Sequence, residues 1–374
     1  MALGKRLVAD VLKKADIEIN GSRPWDIQVH DDRLYWRVVL SGSLGLGDSY
    51  MDGWWDVEDL TEMMRRIMRS DNTEKVPGQK LMLGAMALLN KIINLQSKSR
   101  AFIVGEKHYD IGNDLYKAML DPSMTYTCGY WKDAKTLEEA QHEKLDLICR
   151  KLQLAPGMRV LDIGSGWGSF AAHAAKHYGV SVVGVTVSKE QADLAQKKYA
   201  DLPVEFKLLD YRDIPKMYPG AFDRVVSIGM FEHVGPKNYR DYMEVASAAL
   251  KPDGLFLLHT IGGHEGGADA WMNKHIFPGG VIPNLEQVAH SVVGVFIAED
   301  LHNFGPYYAK TLKAWRDNFD AHYDSLDHHK YDERFRRMWR FYLCVSEAGF
   351  AARWLQLWQF VFSKKLEGGY ESVR

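Results

Sequence analysis

The sequence predicts a doubly wound α/β domain built on a parallel sheet, and three observations point there. An apolar run, Val160, Leu161 and Ile163, feeds into Gly164-Ser165-Gly166-Trp167-Gly168 and then into helix-forming sequence from Phe170 to Tyr178. Strand and helix signals then alternate as strand Val180–Val187, helix Glu190–Ala200, strand Val204–Asp210, strand Phe222–Met230, helix Tyr239–Leu250 and strand Leu255–Ile261. Finally, Asp162, Thr186, Asp210, Glu232 and His259 all fall at carboxyl ends of these strands, where open α/β sheets bind ligands.

Beyond Gly262 a Gly-rich turn, the segment Trp271–Pro283, a strand Val295–Asp300, helices Tyr307–Tyr323 and Glu333–Gly349 and a strand Leu355–Ser363 read as cover and closing edge of the same domain. Residues 1–95 read as a second, smaller and mainly helical unit, with a helix from Gly4, a segment Trp25–Leu40 of β character and a helix Val57–Met68. Residues 96–107 are polar and broken enough to serve as the linker, which gives 108–374 to the larger domain. The apolar run Leu81–Leu89, continued by Ile92 and Ile93, is interrupted by Gly84 and falls short of the roughly 20 residues of a membrane span. It either packs between domains or lies on a lipid surface.

A chain of 374 residues, 46% hydrophobic and 26% charged, can bury a full core, and a net charge of −2 with no basic block gives nucleic acid no electrostatic footprint. Asp10, Lys13, Lys14 and Asp16 interrupt any export-signal core near the N-terminus, so a cytoplasmic location is expected. Cys128, Cys149 and Cys344 are odd in number, far apart and without a C-x-x-C pair, which argues against a disulfide framework or a cysteine zinc site; no metal is expected. The 11 Trp and 18 Tyr suit a lipid interface or a greasy pocket, having apolar bodies and wet tips.

The glycine turn carries the chemistry. Its G-x-G-x-G spacing is not the dinucleotide fingerprint, which places the third glycine three residues after the second. Asp162, two residues before the first glycine, would repel a pyrophosphate but suits the ammonium of the methionine part of S-adenosylmethionine (SAM). Three glycines alone also occur in turns that bind nothing, so the strand before and the helix after them are needed for the reading.

Further segments add up with this turn: His108-Tyr-Asp-Ile-Gly-Asn-Asp, Met124-Thr-Tyr-Thr-Cys-Gly-Tyr-Trp131, Gly229-Met-Phe-Glu-His-Val-Gly-Pro-Lys-Asn238, Leu258-His-Thr-Ile-Gly262 and His302-Asn-Phe-Gly305. Together they resemble the bacterial cyclopropane-fatty-acyl-phospholipid synthases over essentially the whole chain, and the mycolic-acid cyclopropane synthases through the larger domain. The resemblance implies a class I SAM-dependent methyltransferase domain behind a small helical domain. It further implies action on cis double bonds of phospholipid acyl chains, a bound bicarbonate as base, association with the membrane surface and a homodimer.

Carried over residue by residue, the resemblance implies that Cys128, Glu232, His259, Ile261 through its backbone, and Tyr308 hold the bicarbonate. For SAM it implies Tyr126, Thr127, Asp162, Gly164, Ser165, Gly166, Trp167, Thr186, Gln191, Asp210, Tyr211 and Arg212. The residue types fit: hydroxyl, imidazole and backbone N–H groups donate to an oxyanion, and aromatic faces at Tyr126, Tyr130, Trp131 and Phe231 stabilise a cation without reacting with it. Competing explanations stand beside several of them. Cys128 also reads as a small buried apolar residue and His259 as a satisfied core histidine, Tyr307 rivals Tyr308, and Ser188-x-x-Gln191 is a capping-box pattern. Two rival functions are a SAM methyltransferase leaving a methyl or methylene branch on the acyl chain, and a lipid-binding module with a vestigial SAM fold.

Overall fold

A computed structural model describes residues 2–70 and 111–374. The expected linker, the apolar run from Leu81 and the motif residue His108 lie outside the described residues. Two compact units divide the chain.

The larger unit comprises 96–267, 279–308 and 356–374. Two short strands in the other unit, β1 (Gln28–Val29) and β2 (Trp55–Asp56), precede its seven: β3 (Arg159–Ile163), β4 (Ser181–Thr186), β5 (Val204–Leu208), β6 (Phe222–Ile228), β7 (Leu250–Gly263), β8 (Ile297–Asn303) and β9 (Leu355–Ser363). They form one sheet in the order β5-β4-β3-β6-β7-β9-β8. The run from β5 to β7 is parallel, and β8 pairs antiparallel with β9. Parallel strands need helices on both faces, which is why β3 and β4 are apolar throughout apart from Asp162 and the strand ends. One face buries Leu145, Ile148, Phe170, Ala174 and Leu257. The opposite face buries Ile163, Phe231, Tyr242, Phe256 and Phe360.

The helix Leu137–Lys151 belongs to the first of these faces and has no counterpart in the sequence reading, although its start is written out. Thr136 and Glu139 form a full capping box, with two N–H groups satisfied reciprocally. Elsewhere the expected elements appear with ends moved by a few residues: the helix after the glycine turn is Ser169–Tyr178, and the strand expected at Val295–Asp300 runs Ile297–Asn303.

The smaller unit is not the N-terminal segment alone. Residues 1–95 are joined by 268–278 and 309–355, stretches that the sequence reading assigned to the larger domain. The helix Glu333–Ala351 packs against the helices Arg33–Met51 and Leu60–Arg69 and supplies much of their apolar partner surface. The expected β segment Trp25–Leu40 is β only at Gln28–Val29. From Arg33 it is helical, because Leu34, Tyr35 and Val38 lie at helical spacing, and this face outweighs the strand propensity of Trp36 and Val39. The Val57–Met68 helix begins at Leu60, where the Asp59 carboxylate accepts from Glu62 N.

Asp48 ties this unit together. Nearly buried, its carboxylate accepts from Lys274 Nζ at 2.8 Å and His275 Nε2 at 2.6 Å. Burial opposes its ionisation, but the hydrogen bonds from Lys274 and His275 outweigh it and hold the carboxyl below its ordinary value. The stability this gives is present above the unfolded aspartate pKa and lost as pH falls through the folded value. Asp48→Asn is therefore expected to lower unfolding stability by about 1–2 kcal/mol at pH 7, a difference that shrinks in urea titrations as the pH falls below the ordinary aspartate range.

Candidate active site

The chain runs outward from β3 through β4 to β5 and then returns to β6 beside β3, so the loops after β3 and β6 diverge and leave a crevice at the carboxyl edge. The glycine turn follows β3 and Glu232 follows β6. These loops come so close that a Cβ on Gly164 would lie 2.8 Å from that of Met230. All three glycines have positive φ: 87° at Gly164, 54° at Gly166 and 83° at Gly168. Their tasks differ. A Cβ on Gly168 would meet Phe206 at 2.5 Å, whereas one on Gly166 would meet nothing within 4 Å. Gly164 and Gly168 serve close packing, and Gly166 faces open space. The Gly164 and Ser165 N–H groups both donate to Val185 O, at 2.9 and 3.0 Å, so these two are not aimed at a ligand.

Around the turn, Trp167 donates from Nε1 to Asn113 Oδ1 at 3.0 Å and stacks obliquely on Tyr116, which in turn meets Tyr126 edge-on. Thr186 Oγ1 donates to Gln191 Oε1 at 3.0 Å, while Gln191 N donates to Ser188 Oγ. Only half of the capping box forms, because the Gln191 side chain turns to Thr186. Asp210 caps the short turn Tyr211–Asp213 and accepts from Arg212 N and Nη1 at 3.0–3.1 Å, so its carboxylate is engaged within its own loop. The Tyr211 ring belongs to the core against Tyr242, and burial pushes its hydroxyl up to about 12. Phe231 also departs from expectation: fully buried and stacked on Tyr239 at 4.2 Å, its face is not available to a cation.

The residues assigned to the anion come together in part. Glu232 Oε1 accepts from Ile261 N at 2.6 Å; Oε2 is buried without a hydrogen-bond partner among the described residues. Burial pushes this carboxyl up to about 7. His259 lies two residues before Ile261 on β7, and its backbone carbonyl accepts from Gly229 N at the end of β6. Gln359 Nε2 donates to His259 Nδ1 at 3.2 Å, so the ring proton sits on Nε2, which is buried and equally unpartnered. Burial, then Lys144 and Lys151, hold this imidazole neutral. Cys128 is fully buried, and Tyr308 is buried at the start of the helix Pro306–His322. Tyr307, its rival, meets Tyr130 edge-on at 5.4 Å, as does Phe304, and Phe304 borders His259.

Sequence reasoning missed Lys144, Gln141 and Gln359. Lys144 is 1% exposed and donates to Thr127 Oγ1 at 2.9 Å, while Gln141 donates to Thr127 O at 2.7 Å. Burial lowers Lys144 to about 8, and its field reaches Asp121, Cys128 and Asp162. Burial pushes Asp162 up to about 7 against the pull of Lys144. The signal for Lys144 was two polar residues, Gln141 and Lys144, on the same helical face as Leu145 and Ile148.

With this geometry in view, the comparisons with known proteins agree with one another. The sequence profile of the mycolic acid cyclopropane synthetase family matches residues 96–360. The chain belongs to that family. It is 49% identical over 375 residues to the cyclopropane-fatty-acyl-phospholipid synthase of Escherichia coli, covering 99% of this chain and 96% of that one. Among solved structures, the cyclopropane synthase MmaA2 from Mycobacterium tuberculosis is 33% identical, with a TM-score of 0.65 over 70% of this chain and 98% of its own. Mycolic acid cyclopropane synthase CmaA1, complexed with SAH and CTAB, gives 33% and 0.64 over 70% and 97%. The fold is that of the class I SAM-dependent methyltransferases, and the family's activity makes the chain an enzyme of that class.

Within this family frame the raised Glu232 carboxyl has a measurable cost. A carboxyl whose folded pKa lies above its unfolded value destabilises the fold progressively as pH rises from about 4.5 to about 7 and by a constant amount above. Glu232→Gln is expected to stabilise the ligand-free protein by about 2–3 kcal/mol at pH 8, with the gain shrinking toward zero near pH 5 in denaturant titrations.

Proposed function

We propose that the chain is a cyclopropane-fatty-acyl-phospholipid synthase: it transfers the SAM methyl group to a cis double bond of an unsaturated phospholipid acyl chain and closes the ring with bicarbonate as proton acceptor. The observation that carries this reading is the pair of buried polar atoms without partners, Glu232 Oε2 and His259 Nε2, at the carboxyl ends of β6 and β7 near the glycine turn. Buried polar atoms are normally satisfied, so two together fit a small polar guest.

When bound, SAM supplies an electrophilic methyl group and bicarbonate a base that the carbocation on the acyl chain does not consume. The chain's own residues do the rest. Glu232 accepts the acid proton of bicarbonate through Oε2, and His259 donates from Nε2 to its oxyanion. Ile261 N holds the other Glu232 oxygen and fixes the carboxyl plane. Lys144 adds a buried positive charge that favours an anion and anchors Thr127, the neighbour of Cys128. Cys128 and Tyr308 complete the anion-holding set in this reading. For SAM, Gly166 and Trp167 offer the open part of the turn, and Asp162 the carboxylate for the ammonium. Tyr126, Thr127, Thr186, Gln191, Asp210 and Arg212 border the same edge, and Tyr211 supports it from the core. Tyr130 and Phe304 present aromatic surface beside His259, which excludes water from a cation.

The acyl substrate belongs to a membrane phospholipid, so the enzyme acts as a cytoplasmic peripheral protein on the inner face of the cell membrane. Among the described residues no helix is long and apolar enough to cross a bilayer. The smaller unit is the lipid-associating part, and the active form is a homodimer. Because that unit uses 309–355, deleting 1–95 would strip the helix Glu333–Ala351 of its partners, so vesicle co-sedimentation is done on the full chain.

The test is incubation with SAM and vesicles of unsaturated phospholipid, with and without bicarbonate, followed by mass spectrometry of the acyl chains for the added CH2 and proton NMR for ring against olefinic protons, since the ring and a methylene branch give isomers of equal mass. The expected product has gained one CH2 and lost its double bond, and its yield depends on bicarbonate. A methyl- or methylene-branched product with unsaturation retained would overturn the reading. Glu232→Gln is expected to reduce ring formation by about a hundredfold or more while calorimetry shows SAM affinity unchanged.

A further inference from the structure

The helices Leu137–Lys151 and Ser169–Tyr178 pack against each other on one face of the sheet, and three imidazoles meet at their seam. His173 and His177 stand one helical turn apart, and His142 reaches them from the other helix. Ring centroids are 4.9 Å apart for His142 and His173, 4.6 Å for His173 and His177, and 5.7 Å for His142 and His177. One ligand nitrogen from each lies within 4.8 Å of the other two.

Rings this close also occur as plain aromatic contacts, but one atom separates the two cases. His173 is 8% exposed, and its Nε2 has no hydrogen-bond partner among the described residues. A buried lone pair or N–H left this way is costly unless something occupies it.

We propose that His142, His173 and His177 form a binding site for one divalent transition-metal ion of the zinc, cobalt or nickel class. Three imidazole nitrogens suit these borderline ions and not magnesium or calcium, which take oxygen. Tetrahedral zinc at 2.0–2.1 Å from nitrogen sets ligand nitrogens about 3.3 Å apart, so the exposed His142 and His177 swing inward onto the buried, fixed His173. Asp146, one turn beyond His142, is engaged by Tyr178 and Arg150 and is not a ligand. A surface cleft of about 450 Å³, lined by His142, His173, Lys198 and Asp201 among others, gives the ion its entry and leaves the fourth position to water. The ion braces two helices that both bear on the crevice: one carries Gln141 and Lys144, and the other begins at the glycine turn.

The test uses the full chain, stripped by a chelator and titrated with Co2+ and then Zn2+. The expected result is one Co2+ per chain with the visible spectrum of a nitrogen-ligated site of low coordination number. No thiolate charge-transfer band should appear, and Zn2+ should displace the cobalt. His142→Asn and His177→Asn alter exposed positions and leave the fold intact; each is expected to weaken Zn2+ by more than the roughly 10- to 100-fold that losing an outer-shell partner costs. The double variant abolishes both binding and the Zn2+-induced rise in melting temperature. No binding at millimolar ion, or binding unchanged in the double variant, would overturn the proposal.

Discussion

Loss of water at the carboxyl edge of the sheet sets the protonation of the groups around the glycine turn. Asp162 and Glu232, both carboxyls, are each pushed to about 7, Lys144 is drawn down to about 8, and His259 is held neutral. All four are buried, and burial opposes the charged form of each. The Lys144 amine acts on Asp162, Cys128 and His259 alike, so its placement on the helix Leu137–Lys151 links these groups electrostatically. A dry chamber is what an alkene and a sulfonium require, since water would capture a carbocation before a proton could be removed from it.

The same edge shows how packing and ligand approach divide among three similar residues. Gly164 and Gly168 are glycines because Met230 and Phe206 occupy the space a side chain would need. Gly166 has the space and faces it. The spacing of the glycines therefore reports two packing demands and one open position, which is why the same pattern also occurs in proteins that bind nothing.

Much of the larger unit was legible in the sequence, because its strands are buried on both faces and separated by amphipathic helices of ordinary length. The carboxyl-end residues of those strands were legible for the same reason. What escaped were contributions from elements that do not adjoin the strand ends: Gln359 arrives from β9 and Lys144 from a helix whose own capping box went unread. Trp25–Leu40 was misjudged because aromatic and β-branched side chains suit a helix as well once one stripe of them has a partner, and that partner is near the other end of the chain. Tertiary context decided there over local propensity. At Gln191 half of the capping box forms, its backbone N–H donating to Ser188 Oγ while its side-chain oxygen accepts from Thr186 Oγ1.

That the smaller unit draws on residues 1–95, 268–278 and 309–355 has a consequence for vectorial synthesis on the ribosome. The amphipathic helices Arg33–Met51 and Leu60–Arg69 emerge early, yet the helix that buries them is made almost last, so their apolar faces stay uncovered while nearly the whole remaining chain is translated. Apolar faces left uncovered during synthesis are sites where nascent chains associate wrongly, so the folding of this unit waits on its distant segment.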